Sequence, residues 1–264
     1  MQDFEYSRPS SLADAVAAMK GSAEGKFLAG GQSLLPAMKL ELASPATVVS
    51  LADVPDLGGI SLESGTLTIG ALTTHADVAA SDVVREGIPA LADLAAHIGD
   101  AQVRNRGTIG GSVAHNDPAA DYPAALVALD ATVVTDRREV AAEDFFGGAF
   151  ETALEPDEII VSVRFPVPDK AAYAKFASRA SKYAVVGVMV ARTGDEVRVA
   201  VTGASYGVFR VPRMEAALAA DFTEQAIADS TVDEGTLMSD LDASAEYRAH
   251  LVTVMARRAV AACA

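Results

Sequence analysis

Paired glycines stand at 30–31, 58–59, 110–111 and 147–148, and two of these pairs share a context. Leu28-Ala29-Gly30-Gly31-Gln32-Ser33 and Thr108-Ile109-Gly110-Gly111-Ser112 each lead from a short apolar stretch through Gly-Gly to a small hydroxylated residue. Glycines in such a setting turn the backbone through positive φ and let successive N–H groups converge on an anion. A single pair reads equally well as a plain tight turn, whereas two similar loops point to one phosphorylated ligand shared between them. No Gly-x-Gly-x-x-Gly and no P-loop pattern occurs, so a Rossmann turn or a Walker cradle is not indicated. Lys26 and Lys39 flank the first loop and Arg104 and Arg106 precede the second, cations that suit an anionic ligand.

Other chemistries find less support. Ser33 and Ser112 lie in no Gly-x-Ser-x-Gly elbow, which argues against a serine hydrolase. His75, His97, His115 and His250 lack metal-ligand spacing, and only His115 falls close enough to a glycine loop to neighbour the site. The one cysteine, Cys263, excludes a cysteine-built zinc site, a disulfide framework and any iron–sulfur cluster ligated by this chain alone. In the segment 115–121, Asp117 and Asp121 flank Pro118. One carboxylate, Asp117 by the spacing, could cap the following helix; the other reading is a carboxylate that accepts hydrogen bonds from ligand hydroxyls.

The elements that must carry these residues read as α+β. Ser11 caps a helix over 13–20, Ser33 starts one over 33–42, and a strand follows at 47–51. From Gly59 the period changes to two, with a hairpin about Glu63-Ser64-Gly65. Val84, Ile88, Leu91, Ala95 and Ile98 form one apolar stripe and predict a continuous helix ended by Gly99. The stretch from Asp100 to about Pro118 reads as a long loop, and a helix follows over 122–129. A strand over 159–165 closes the first region, and Pro166 and Pro168 mark the expected domain boundary. Beyond it, strands over 174–177, 183–192 and 196–204 predict a three-stranded antiparallel sheet, and the remainder is helical, ending in a helix over 245–262.

Composition narrows the class further. At 264 residues, half hydrophobic and 22% charged, the chain is long enough for two modest globular domains. Its net charge of −15 has the wrong sign for nucleic-acid phosphate or an anionic membrane surface. The amino terminus is acidic and polar rather than signal-like, and the longest apolar stretch, Tyr183 to Ala191, is far short of a membrane span, so a cytoplasmic location is expected.

The segments 29–39 (Ala-Gly-Gly-Gln-Ser-Leu-Leu-Pro-Ala-Met-Lys), 102–112 (Gln-Val-Arg-Asn-Arg-Gly-Thr-Ile-Gly-Gly-Ser) and 117–124 (Asp-Pro-Ala-Ala-Asp-Tyr-Pro-Ala) together resemble the FAD-binding medium subunit of molybdenum hydroxylases, the xanthine dehydrogenase/carbon monoxide dehydrogenase family. The resemblance spans essentially the whole chain. It implies the FAD-binding fold of the vanillyl-alcohol oxidase and p-cresol methylhydroxylase type over 1–168, with α/β subdomains of about 1–55 and 56–168, then a flavoprotein C-terminal domain over 169–264. Ala29, Gly30, Gly31, Gln32 and Ser33, with Thr108, Ile109, Gly110, Gly111 and Ser112, would wrap the FAD pyrophosphate through backbone N–H groups and hydroxyls. Ser112 stands where Asn is common in the family. Asp121 would contact the sugar or ribityl region, and Lys175 and Tyr183 would lie near the isoalloxazine ring. The resemblance also implies partners: a large molybdopterin-binding subunit and a small [2Fe-2S] subunit, as a dimer of heterotrimers. Electrons would pass through FAD to an external acceptor, with no catalytic acid–base residue or metal ligand on this chain. A self-sufficient flavin oxidase or reductase of the same fold, or an assembly module without flavin, are the alternatives.

Overall fold

The computed structural model describes residues 1–263. The first layer is a small parallel sheet. Strands β1 (Glu5–Ser7), β2 (Gly25–Leu28) and β3 (Thr47–Ser50) are ordered β1-β3-β2, and helices α1 (Leu12–Lys20) and α2 (Leu34–Lys39) make the crossovers. Ser11 caps α1 through Asp14 N–H, and α1 presses Ala15 and Met19 onto Val49, Leu51, Val54 and Leu57. Helix α2 is shorter than its pattern predicted. It stops at Leu40, and the left-handed Glu41 (φ 60°) turns the chain away.

The second layer is a five-stranded antiparallel sheet, β4 (Ile60–Glu63), β5 (Thr66–Gly70), β6 (Thr132–Thr135), β7 (Glu139–Ala141) and β8 (Ile160–Pro166), in the order β4-β5-β8-β6-β7. Ser64 and Gly65, both at positive φ, make the tight turn between β4 and β5. One face is buried under helices α3 (His75–Ala80), α4 (Asp82–Gly87), α5 (Pro89–Ala96), α7 (Ile109–His115), α8 (Tyr122–Ala128) and α9 (Ala142–Phe145), while the short α6 (Ala101–Arg104) buries no residue and lies beside α3.

Two expectations are corrected in this layer. The stripe from Val84 to Ile98 does face the core, yet it is carried by two helices. Pro89 supplies no N–H and drives Ile88 out of the helical region (φ −139°, ψ 79°), so α4 ends and α5 begins there. The presumed long loop from Asp100 holds α6 and α7 instead. Asp100 caps α6 and Thr108 caps α7 by accepting from Val103 N–H at 2.8 Å and Gly111 N–H at 3.1 Å. Two glycines within the first three residues of α7 mask its helical character in sequence.

After Pro166 the chain enters a separate sheet. Strands β9 (Lys170–Ala177), β10 (Ala184–Thr193), β11 (Glu196–Thr202) and β12 (Phe209–Arg210) run antiparallel in the order β12-β11-β10-β9. The sheet is therefore four-stranded rather than three; β12 has only two residues and leaves no periodic signal. Helices α10 (Pro212–Ala220) and α11 (Ala245–Ala262) cover one face, packing on Val186, Val188, Val190, Val199 and Val201. Met189, Ala191 and Ala200 point the other way, into the core of the second layer. Burial on both faces explains why β10 reads as an unbroken apolar run. No helix among the described residues is long and apolar enough to cross a membrane.

Candidate functional site

The two glycine loops meet. Gly30 sits so close to the second loop that a Cβ there would lie 1.9 Å from the Arg106 carbonyl oxygen and 2.9 Å from Gly107 Cα. One loop later, a Cβ on Gly111 would reach Ala29 Cβ at 3.5 Å. The fold thus gathers residues 29–33, at the exit of β2, against residues 106–112, at the entry of α7.

Their hydrogen bonding differs. In the first loop Gly31 is left-handed (φ 74°), and among the described residues no acceptor takes the N–H of Gly30, Gly31, Gln32 or Ser33. Ser33 occupies the N-cap of α2, but its hydroxyl makes no capping bond and stays available. In the second loop the same groups are spent on the fold. Ile109 N–H donates to Thr73 O (3.1 Å), Gly110 N–H to Ala71 O (2.8 Å), Gly111 N–H to Thr108 Oγ1 (3.1 Å) and Ser112 N–H to Thr108 O (3.0 Å). The expectation that both loops offer a run of N–H groups is therefore corrected: the Thr108 N–H and the hydroxyls of Thr108 and Ser112 are the unengaged donors of residues 108–112 among those described. Gly30, Gly31 and Ser33 are half-buried and Gln32 is exposed, so these free donors stay open to an acceptor from outside the chain, water or ligand.

Behind the second loop lies His75, buried at 4% exposure, its Nε2 only 2.7 Å from where a Gly107 Cβ would be. Burial, helped by the Arg104 charge, lowers its pKa to about 4, so the ring is neutral at physiological pH. Its Nδ1 and the Oη of neighbouring Tyr122, rings 5.4 Å apart, are both buried without a partner. Arg104 itself turns from the loop to close the end of α5, donating to Ile98 O and Gly99 O.

Helix α7 leads from the loops to a second cluster. Its last residue, His115, stacks at 5.1 Å on Phe150, which Asn116 holds in place by donating from Nδ2 to Gly148 O and Glu151 O. The glycine pair 147–148 thus serves this supporting turn. Asp117 does not cap α8; its Oδ1 accepts from Ala119 N–H at 2.8 Å, and the N-cap position is held by Asp121, whose carboxylate makes no capping bond either. Thr202 Oγ1 donates to Pro118 O and Ala120 O, and Gly203 N–H donates to Pro118 O, so the end of β11 clamps the segment before Asp121. Arg248 of α11 supports the clamp from behind, with Nη1 on both Gly203 O and Val185 O at 2.6 Å.

Asp121 and Lys175 form a buried ion pair at 2.9 Å, with side-chain exposures of 4% and 6%. Lys175 Nζ also donates to His97 O at 3.1 Å, and Tyr173 Oη donates to Asp121 Oδ1 at 2.5 Å. Burial pushes the Asp121 carboxyl up, against the opposing pull of Lys175 and Tyr173. Tyr183 stands exposed just before β10, within reach of the charges of Asp117 and Asp121. Ala184 N–H donates to Ala119 O, and burial together with the charges of Asp117 and Asp121 raises the Tyr183 phenol. Sequence reasoning missed Tyr173, His75 and the His97 carbonyl. Tyr173 was findable, being two positions before Lys175 on a strand and so on the same face. The other two depend on tertiary approach and leave no local signal.

A loop of unpartnered N–H groups packs against a second glycine turn, and a buried cation–carboxylate pair follows further along the chain. Comparison with known proteins gives the chain a family. The profile of the FAD binding domain in molybdopterin dehydrogenase matches residues 2–168. The chain is similar to the nicotine 6-hydroxylase medium subunit of Paenarthrobacter nicotinovorans, 37% identical with 97% of this chain and 96% of the relative covered. The carbon monoxide dehydrogenase medium chain of Hydrogenophaga pseudoflava is likewise 37% identical, covering 97% and 96%. Among solved structures, carbon monoxide dehydrogenase of Hydrogenophaga pseudoflava superposes with a TM-score of 0.92 at 37% identity, over 99% of this chain and 97% of the other. Quinoline 2-oxidoreductase of Pseudomonas putida 86 gives 0.90 at 29% identity, over 99% and 97%. The chain belongs to the FAD-binding molybdopterin dehydrogenase family, and it is an oxidoreductase component.

Proposed function

We propose that this chain is the FAD-carrying electron-transfer subunit of a heterotrimeric molybdenum hydroxylase. In this reading it assembles in the cytoplasm with a large molybdopterin-binding subunit and a small [2Fe-2S] subunit, as a dimer of heterotrimers. The observation that carries it is the free N–H set of Gly30, Gly31, Gln32 and Ser33, on a loop packed against the second glycine turn.

Residues 30–33 hold the pyrophosphate of FAD, joined by the hydroxyls of Ser33 and Ser112 and by the Thr108 N–H. These neutral donors replace water around a dianion, in a chain whose net charge of −15 would otherwise repel it. Asp121 orients the sugar or ribityl hydroxyls, and Lys175 and Tyr183 lie at the isoalloxazine end. When bound, FAD accepts electrons one or two at a time and returns them to an acceptor. The protein's part is to fix the ring, to keep Lys175 as a positive charge near it, and to exclude water with the β9–β10 hairpin.

The supply of electrons comes from outside the chain. Its single cysteine cannot ligate a cluster, and no group of three His, Cys, Asp or Glu residues suited to a metal occurs among the described residues. In this reading the small subunit's iron–sulfur clusters would supply the electrons, and the FAD held by residues 30–33, Asp121 and Lys175 would hand them to an external acceptor. The relatives named as medium subunits or medium chains support this division of labour.

The purified full chain is expected to be yellow and to release FAD on denaturation. Failure to bind FAD after reconstitution overturns the reading. Flavin reduction that requires the co-purifying subunits supports the electron-transfer role; rapid reduction of the isolated chain by an organic substrate overturns it.

A further inference from the structure

We propose that Tyr173 positions the Asp121–Lys175 pair toward the flavin, a role that rests on the FAD reading above. An aspartate carboxylate rotates easily about its last bond, so a buried one points where its partners hold it. Here the two oxygens are divided: Oδ1 takes the Tyr173 phenol at 2.5 Å and Oδ2 takes Lys175 Nζ at 2.9 Å. Both donors come from one face of β9, two residues apart, and together they fix the carboxylate plane. Lys175 is then held between Asp121 Oδ2 and His97 O at 3.1 Å, which sets the direction of its remaining N–H.

A second observation shows that the phenol has been given its room. Gly187 lies opposite Lys175 on β10, in the middle of a buried strand where glycine packs poorly. A Cβ at this position would stand 2.1 Å from Tyr173 Oη. The glycine thus opens the path by which the phenol crosses β10 to reach Asp121. Without the Tyr173 hydroxyl, Oδ1 is left unpaired in a buried site, the carboxylate turns to share its remaining donor, and the ammonium moves with it. The role assigned to Tyr173 is a positioning one, its effect passing through Asp121 and Lys175.

The test compares Tyr173→Phe, Gly187→Ala, Asp121→Asn and Lys175→Met in the full chain. FAD is titrated onto each, and the reduction potential of the bound flavin is measured by dye equilibration. Losing a hydrogen bond to a charged group predicts roughly tenfold weaker FAD binding in Tyr173→Phe. At saturating FAD its potential is expected to move to a more negative value, in the direction of Lys175→Met, and Gly187→Ala, which keeps the phenol but crowds it, to move the same way. Any Tyr173 variant loses some thermal stability whatever its role, so the potential decides. Lower stability with an unmoved potential and wild-type affinity overturns the proposal, provided Asp121→Asn and Lys175→Met bind FAD poorly. If those two also bind normally, the FAD assignment of the pair fails instead, and the positioning role fails with it.

Discussion

The two glycine loops look like copies in sequence and are opposites in structure. Both run from apolar residues through Gly-Gly to a hydroxylated side chain. In the first, the backbone donors of residues 30–33 are unclaimed and Gly31 takes the left-handed turn. In the second, the donors of residues 109–112 are consumed by Ala71, Thr73 and Thr108, and neither glycine has positive φ. The first loop leaves its donors open and the second commits them to its neighbours. In the first loop Gly31 lets the chain turn and Gly30 lets it approach the Arg106 carbonyl, whereas in the second Gly110 lets a helix lie against the backbone of residue 71. The same dipeptide answers different steric demands, and only the destination of the N–H groups separates them.

This difference can be broken experimentally, and the largest effect is expected in the second loop. A Cβ on Gly110 would fall 2.5 Å from Ala71 Cβ and 2.8 Å from Ala71 O. Gly110→Val is expected to cost about 3 kcal/mol or more of stability, through overpacking against backbone, seen as a large drop in the denaturant midpoint of the apo chain. A midpoint close to wild type with FAD binding abolished would reverse the assignment of the two loops.

The support beneath the second loop titrates. His75 has a pKa of about 4 in the folded chain against 6.5 unfolded, so the unfolded state takes up the proton first as pH falls. The stability from a neutral His75 is therefore complete above about pH 6.5 and is lost as pH drops toward 4, by roughly 3 kcal/mol in all. Urea unfolding at pH 7 and pH 4.5 is expected to show a smaller loss in His75→Gln than in wild type. An equal loss in both removes His75 as the titrating group.

In the first loop the balance between stability and binding is inverted. Gly31→Val places a β-branched residue at φ 74°, at a strain of about 1–2 kcal/mol. FAD affinity is expected to fall at least tenfold, since the loop can relieve strain only by swinging its donors off the phosphate. Retention of FAD on gel filtration would contradict the cradle.

The smallest effects give the sharpest contrast. Thr108 caps α7 and Ser33 caps nothing. Thr108→Ala is expected to lower stability by about 1 kcal/mol. Ser33→Ala should leave stability within about 0.5 kcal/mol while weakening FAD severalfold. Paired melting and fluorescence titration would distinguish them.

The sequence carried much of this and hid the rest for identifiable reasons. Both glycine loops, the β4–β5 turn at Ser64-Gly65 and the apolar stripe from Val84 were legible because turn chemistry and periodicity are local. The break at Pro89 was missed because the stripe stays in phase across it: Val84, Ile88, Leu91 and Ala95 are all buried. Helix α7 was missed because glycines at its second and third positions lower its propensity, for a reason that lies at residue 71, far away in the chain. Strand β12 was too short to show a period. In the site, Asp121 was legible as one of two carboxylates flanking Pro118, whereas Lys175 came from resemblance alone. That they bond to each other, and that a phenol completes the cluster, depends on β9 crossing the start of α8, which no local pattern encodes.

The sheet of the second half, apolar on both faces, has a consequence for how the molecule can be divided. Because Met189, Ala191 and Ala200 fill the same core as α5, α8 and β8, the prolines at 166 and 168 separate two sheets while one face of the second sheet still completes the core of the first half. Heat should therefore melt the halves in a single transition, and either half expressed alone would display a greasy face and clump. A chain nicked after Pro168 should nevertheless stay assembled and yellow, its pieces held without a peptide bond. The two halves, made separately and folded together, would then act as a split reporter whose colour signals that the fragments have met.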